Sequence, residues 1–120
     1  MADALITDHI ITIQPMAKKV IIHWENIILG ISNNVLKMYE NNYDPVIYIP
    51  FEDISTTHLV QSDFTSYCPF KGDASYWNLV KNGRILKENI AWQYKNPIDD
   101  VREIKDHLCF YKDIVSLITQ

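Results

Sequence analysis

Glycine is scarce in this chain: three occur in 120 residues, beside five prolines and two cysteines. Gly72 stands alone, so there is no glycine-rich phosphate loop of the Walker type. Cys68 and Cys109 form no Cys-x-x-Cys unit and the four histidines no His-x-x-x-His unit, which leaves no paired ligand set for a metal. Two thiols so far apart are expected to stay free in a reducing compartment. No apolar run approaches the roughly 18 residues of a membrane-spanning helix. The opening stretch, "MADALITDHIITIQPM", carries Asp3 and Asp8 where a secretory signal starts basic. A cytoplasmic protein with no membrane partner is therefore expected. Charge of one sign does not accumulate either. The 11 basic and 15 acidic side chains, net −4, are scattered, and no basic stripe is available to track a phosphate backbone. Nucleic acid is not an expected partner.

What is present is the make-up of an ordinary globular protein, 48% hydrophobic and 22% charged. A chain of this length buries roughly two-thirds of its unfolded surface and needs neither disulfide nor metal to fold. One domain over 1–120 is expected, with 1–8 as a loose N-terminal segment. No internal repeat, low-complexity tract or linker divides it.

The runs "VIIHW" (20–24) and "IILGI" (27–31) are β-branched and separated by Glu25-Asn26. Asn tolerates positive φ, so a two-residue hairpin turn is expected there. The stretch "NNVLKMYENN" (33–42) reads as extended or irregular. Leu36, Met38 and Glu40 alternate as in a strand, whereas Val35, Leu36 and Tyr39 suit a short helix. "DPVIYIP" (44–50) is a short buried strand bounded by prolines. The polar stretch 51–67 holds one more strand and a loop. Asn82-Gly83 is the clearest hairpin signal. With a two-residue loop there, Lys81 faces Arg84, Val80 faces Ile85 and Trp77 faces Glu88. One face then gathers Trp77, Leu79, Leu86, Ile90 and Trp92. The other shows Tyr76, Asn78, Val80, Ile85, Lys87 and Asn89. Glu88 is a lone carboxylate on the core-like face. In "NPIDDVREIKDH" (96–107), Pro97 followed by Asp99 and Asp100 predicts the start of a helix, with Ile98, Val101 and Ile104 at helical spacing. "LCFYKDIVSLI" (108–118) returns to strand-like composition. The fold class is thus mainly β: a compact single domain of twisted antiparallel strands and hairpins with one short helix near the C-terminus.

The densest chemistry lies in "YCPFKGDASYW" (67–77). Cys68 is a candidate nucleophile, because a thiolate needs a nearby cation and Lys71 follows three residues on. Cysteine is also a small hydrophobe that is often simply buried. Lys71 is the second candidate: Gly72 permits a tight or positive-φ turn that presents it outward, able to hold a carboxylate or a phosphate. A surface pairing of Lys71 with Asp73 is the competing reading. Tyr76, Trp77, Trp92 and Tyr94 crowd the 75–94 hairpin, as core or as a pocket wall. Asp53, Glu88 and Asn89 are polar groups that such a pocket would use. Ser75 lacks the glycine elbow of a serine hydrolase.

Four segments in this order, "PVIYIPFEDI" (45–54), "CPFKGDASYW" (68–77), "NIAWQY" (89–94) and "FYKDIV" (110–115), resemble the bacterial family catalogued as domain of unknown function 427. That family is sometimes labelled nucleotidyltransferase-like. The resemblance runs from "HIITIQP" (9–15) to "HLCFYKDIV" (107–115). It implies a compact, mostly β domain with a short helix before its last strand. Phe51 stands where the family pattern has arginine, Tyr67 where a histidine often precedes the cysteine, Ile10 in place of a proline, and Glu25-Asn26 in place of Asn-Gly. No cation is thus supplied next to Asp53, and no histidine next to Cys68. Two-metal nucleotidyl transfer needs a closely spaced acidic pair after a Gly-Ser turn. This chain has no Gly-Ser, Asp-x-Asp or Asp-x-Glu, and Glu52-Asp53 on a strand would point to opposite faces.

Two functional readings follow. In one, the domain binds a small molecule near the Cys68–Lys71 turn and the Trp77/Trp92 hairpin, with room for enzymatic activity and a cofactor the sequence does not name. Lys71→Ala and Cys68→Ala would then leave folding nearly intact and abolish binding. In the other, it is a non-catalytic protein-interaction module and the Cys-Pro-Phe-Lys-Gly motif is structural. Exposed strand edges in a small β domain also allow a homodimer.

Overall fold

Ten strands and three 3-10 turns make up the regular structure of the described residues, 9–113 and 115–120, in a computed structural model. The loose segment expected at 1–8 lies outside them. The strands are β1 (Ile11–Pro15), β2 (Val20–Trp24), β3 (Ile27–Ser32), β4 (Leu36–Glu40), β5 (Val46–Pro50), β6 (Leu59–Cys68), β7 (Gly72–Lys81), β8 (Arg84–Gln93), β9 (His107–Phe110) and β10 (Ser116–Thr119). Seven form one sheet in the order β1-β4-β5-β9-β8-β7-β6, curled into a half-barrel, and β10-β2-β3 form a small second sheet. Every pairing is antiparallel.

Strand periodicity sorts the side chains of the large sheet into two layers. On one face Ile49, Leu79, Ile90, Ala91, Leu108 and Phe110 pack with Val20, Ile22 and Leu29 of the small sheet. On the opposite face Met38, Tyr48, Tyr76, Tyr94 and Cys109 form a second core with Val101 and Ile104. Neighbours such as Tyr48 and Ile49, or Leu108 and Cys109, therefore serve different cores. The small sheet is held on by Gly30, which bridges to Ile54. A Cβ at Gly30 would stand 2.8 Å from the backbone oxygen of Asp53, so only glycine admits this approach.

Several expectations hold. The hairpin at Asn82-Gly83 has φ of 54° and 74°, both positive as a type I′ turn requires. The ambiguous 33–42 stretch contributes β4, and DPVIYIP contributes β5. The two-residue turn between β2 and β3 is present, but Glu25 (φ 51°) takes the positive φ expected of Asn26.

Two expectations are corrected. The C-terminal helix is a 3-10 segment, Asp99–Ile104, broken at Val101 (φ −124°, ψ 30°). No side chain caps its start, and its length leaves no second turn in which an α-helical stripe could form. The β7–β8 hairpin also changes register beyond its tip. Lys81 pairs Arg84 and Val80 pairs Ile85 as expected, but bulges then carry Leu79 opposite Lys87 and Trp77 opposite Ala91 instead of Glu88. An odd offset reverses the face of every later β8 residue. Trp92 consequently pairs Tyr76 and joins its face, opposite to that of Trp77.

Candidate inner cavity

The curl brings the two ends of the large sheet toward each other. At one end β1 and β4 pair with Ile11 opposite Glu40, and His9 precedes β1. At the other lies the β6–β7 turn, residues 69–71. That turn is closed by Lys71 N–H on the Cys68 carbonyl at 3.1 Å and anchored by Ile98 N–H on the Lys71 carbonyl at 2.9 Å. Gly72 has φ of 119°, and a Cβ there would meet the backbone of residues 96–98. The positive φ expected from the sequence is present, but the turn aims Lys71 inward, onto Glu40, and not outward as expected.

Side chains, rather than backbone, close the seam. Lys71 Nζ donates to Glu40 Oε1 at 2.6 Å, and His9 Nε2 donates to Glu40 Oε2 at 2.7 Å. A carboxylate in an ion pair only accepts, so the proton of this bond sits on His9 Nε2. The imidazole stacks on Phe70 with centroids 3.7 Å apart and planes 10° apart. Behind this cluster lies a cavity of about 470 Å³, lined by Met38, Tyr48, Cys68, Trp92 and Tyr94 and rimmed by Tyr43, Asp44 and Tyr67. That volume falls within the ordinary range of small-molecule sites.

Burial keeps the floor of the cavity neutral. Desolvation raises the phenol pKa of Tyr48 and of Tyr94, with neighbouring Cys109 adding for both. Desolvation likewise pushes the Cys109 thiol up, and that thiol donates to the Ile47 carbonyl at 3.3 Å. Among the described residues no protein group bonds the Tyr94 hydroxyl, which opens on the cavity.

The family-model comparison decides the kinship. The model described as domain of unknown function (DUF427) matches residues 12–120. The chain belongs to this family. No curated protein matches it. Glu40, Cys68 and Lys71 of this DUF427 chain fall inside the matched span, and His9 lies just before it.

Of the residues singled out from sequence, Cys68, Lys71 and Trp92 line the inner cavity. Tyr76 is buried in the core beside it, with its hydroxyl 2.9 Å from Ser66 Oγ. Trp77 is on the other face, donating from Nε1 to Gln93 Oε1 at 2.7 Å. Asp53 accepts from the Ser32 hydroxyl at 2.6 Å and ties the small sheet to the 3-10 turn Phe51–Asp53. Glu88 is exposed on the hairpin. Asn89 (φ 54°) sits in the bulge, its N–H on Asn78 Oδ1 at 2.8 Å. Lys71 pairs with Glu40, while Asp73 stays exposed. Sequence reasoning passed over Glu40, although a usable signal was there. The Leu36-Met38-Glu40 alternation places a carboxylate on an apolar strand face, the same anomaly that drew attention to Glu88. His9 and Tyr48 carried no such local mark.

Proposed function

We propose that this DUF427 domain binds a small molecule in the inner cavity, through one anionic group (carboxylate or phosphate) and a flat apolar body. The observation that carries this reading is the engagement of Glu40. Both its oxygens are engaged, by Lys71 and by His9. An ammonium has three donors and the bond to Glu40 uses one, so the remaining capacity at this end is donor-rich and suits an anionic oxygen. The Tyr48, Trp92 and Tyr94 wall suits a flat body, with the Tyr94 hydroxyl as a further polar contact. Cys68 lines the same cavity and is where covalent chemistry would occur if the ligand is an electrophile.

Titration of the 15N-labelled protein with benzoate, salicylate, indole-3-acetate and phenyl phosphate tests the reading. Saturable shifts at Lys71, Trp92 and Tyr94 are expected with at least one probe. They should be lost in Lys71→Met and kept in Lys71→Arg, each first shown to melt cooperatively. Equal binding to Lys71→Met, or no binding by any probe, counts against the reading.

The interaction-module reading has one observation in its favour. β6 is an edge strand of ten residues with Val60, Phe64 and Tyr67 exposed. Light scattering across a concentration series would reveal self-association through that edge, and a Phe64→Asp change would abolish it.

A further inference from the structure

On the face opposite the inner cavity lies a groove of about 590 Å³, lined by Phe51, Glu52, Gln61, Trp77, Gln93, Lys95 and Asp106. Its floor is aromatic: Phe51 and Trp77 are tilted at 44° with centroids 5.6 Å apart. Its walls are polar, and hydrogen bonding fixes their orientation. Indole N–H can only donate, so Gln93 must turn its Oε1 to Trp77 Nε1, at 2.7 Å. The amide NH2 of Gln93 is thereby directed away. Gln93 as a residue is only 6% exposed, and its NH2 has no protein partner among the described residues. It opens on the groove. Gln61 repeats the device: Lys95 Nζ donates to its Oε1 at 3.0 Å, which leaves its NH2 for solvent or a ligand. Two oriented amide donors therefore stand with two carboxylates, Glu52 and Asp106, around an aromatic floor. The segments carrying them are tied by Phe51 N–H on the Asp106 carbonyl at 2.8 Å.

We propose that this groove is a second binding site, for a neutral sugar ring. Sugar hydroxyls both donate and accept, so they match a wall in which amide donors and carboxylate acceptors adjoin. The C–H face of a pyranose lies flat on an indole. Glu52 and Asp106 outnumber Lys95, so the groove carries no excess of positive charge to favour an anion. The Gln93 NH2 is the strongest single indication, since the bond its Oε1 accepts from Trp77 fixes this donor toward the groove beside the aromatic floor.

The test is NMR titration of the 15N-labelled protein with methyl glycosides of glucose, galactose, mannose and N-acetylglucosamine and with cellotriose. The Trp77 Nε1–H and Gln93 NH2 resonances are the reporters. Saturable shifts of both are expected with at least one sugar, unchanged in Lys71→Met. The double variant Glu52→Ala/Gln61→Ala alters two exposed side chains, so folding should persist while binding weakens about tenfold. The proposal is overturned if no sugar moves either resonance at tens of millimolar, if the double variant binds equally well, or if shifts appear only at Trp92 and Tyr94. Because Lys71→Met leaves the groove untouched, failure here and failure of the inner-cavity reading are separable.

Discussion

Lys71 Nζ lies 2.6 Å from Glu40 Oε1 across the seam of the half-barrel, with the two side chains only 12% and 11% exposed. The residue that the β6–β7 turn aims inward is thus also part of what holds the sheet ends together. Function and fold share this contact.

Removing one partner leaves the other charge poorly solvated. Lys71→Ala and Glu40→Ala are each expected to cost about 2–3 kcal/mol, a little under the usual figure for a buried pair because the cavity admits water. This revises the sequence-based expectation that Lys71→Ala leaves folding nearly intact. Replacing both, as Glu40→Leu/Lys71→Met, should recover much of the loss. Urea unfolding of the wild type, Glu40→Leu, Lys71→Met and the double variant closes the cycle and gives the coupling energy. Additive costs would mean that the two groups do not interact.

The two thiols should differ sharply toward alkylation. Cys68 is half-buried at the cavity wall, while Cys109 is buried, donates to Ile47 and has its thiol held protonated by desolvation. With iodoacetamide at pH 8, mass spectrometry is expected to find Cys68 modified in the folded protein and Cys109 only after unfolding. Comparison with Lys71→Met then separates two roles. A slower Cys68 in that variant identifies Lys71 as a stabiliser of its thiolate; an unchanged rate makes Cys68 a wall residue.

How far the sequence reaches can be read from these positions. Period-2 patterns and turn chemistry are local, so β2, β3, β5 and the Asn82-Gly83 turn are legible in the residues themselves. The Gly72 turn is legible for the same reason. The bulges in β8 are not, because nothing in "RILKENIAWQ" marks where extra residues enter, and their odd sum moves Trp77 out of the expected pocket. His9 and Glu40 meet Phe70 and Lys71 only through the curl of the sheet, a non-local outcome of strand order. The 3-10 segment keeps the apolar spacing of a helix, with Val101 and Ile104 buried, without the length to form one.

Asn89 adopts φ of 54° in the β8 bulge, and its Oδ1 is buried with no partner among the described residues. Both features cost free energy that glycine would not incur. Asn89→Gly is therefore expected to be neutral or slightly stabilising, since its backbone N–H can still reach Asn78. Asn89→Val forces a β-branched residue into the left-handed region and should cost about 1–2 kcal/mol. Thermal melts of the two variants check this. A valine variant as stable as the glycine one would indicate that the bulge relaxes to another register.

Alkaline pH should unfold the protein through its buried protonated groups. Tyr48, Tyr94 and Cys109 all hold their protons more tightly folded than unfolded, chiefly by desolvation. Below the ordinary values of 9.0 for the thiol and 10.0 for the phenols, both states keep these protons and the contribution is complete. Above them the unfolded chain releases protons that the folded chain retains, so unfolding stability falls as pH rises. Each group adds about 1.4 kcal/mol per pH unit to that decline once its unfolded form is ionised. Urea unfolding from pH 8 to 11 is expected to show a slope that steepens past pH 9 and again past pH 10. Tyr94→Phe removes one of the three protons and should make the decline above pH 10 shallower by about 1.4 kcal/mol per unit. An unchanged slope in that variant would mean that the Tyr94 hydroxyl, facing the cavity, ionises as readily as a phenol in water.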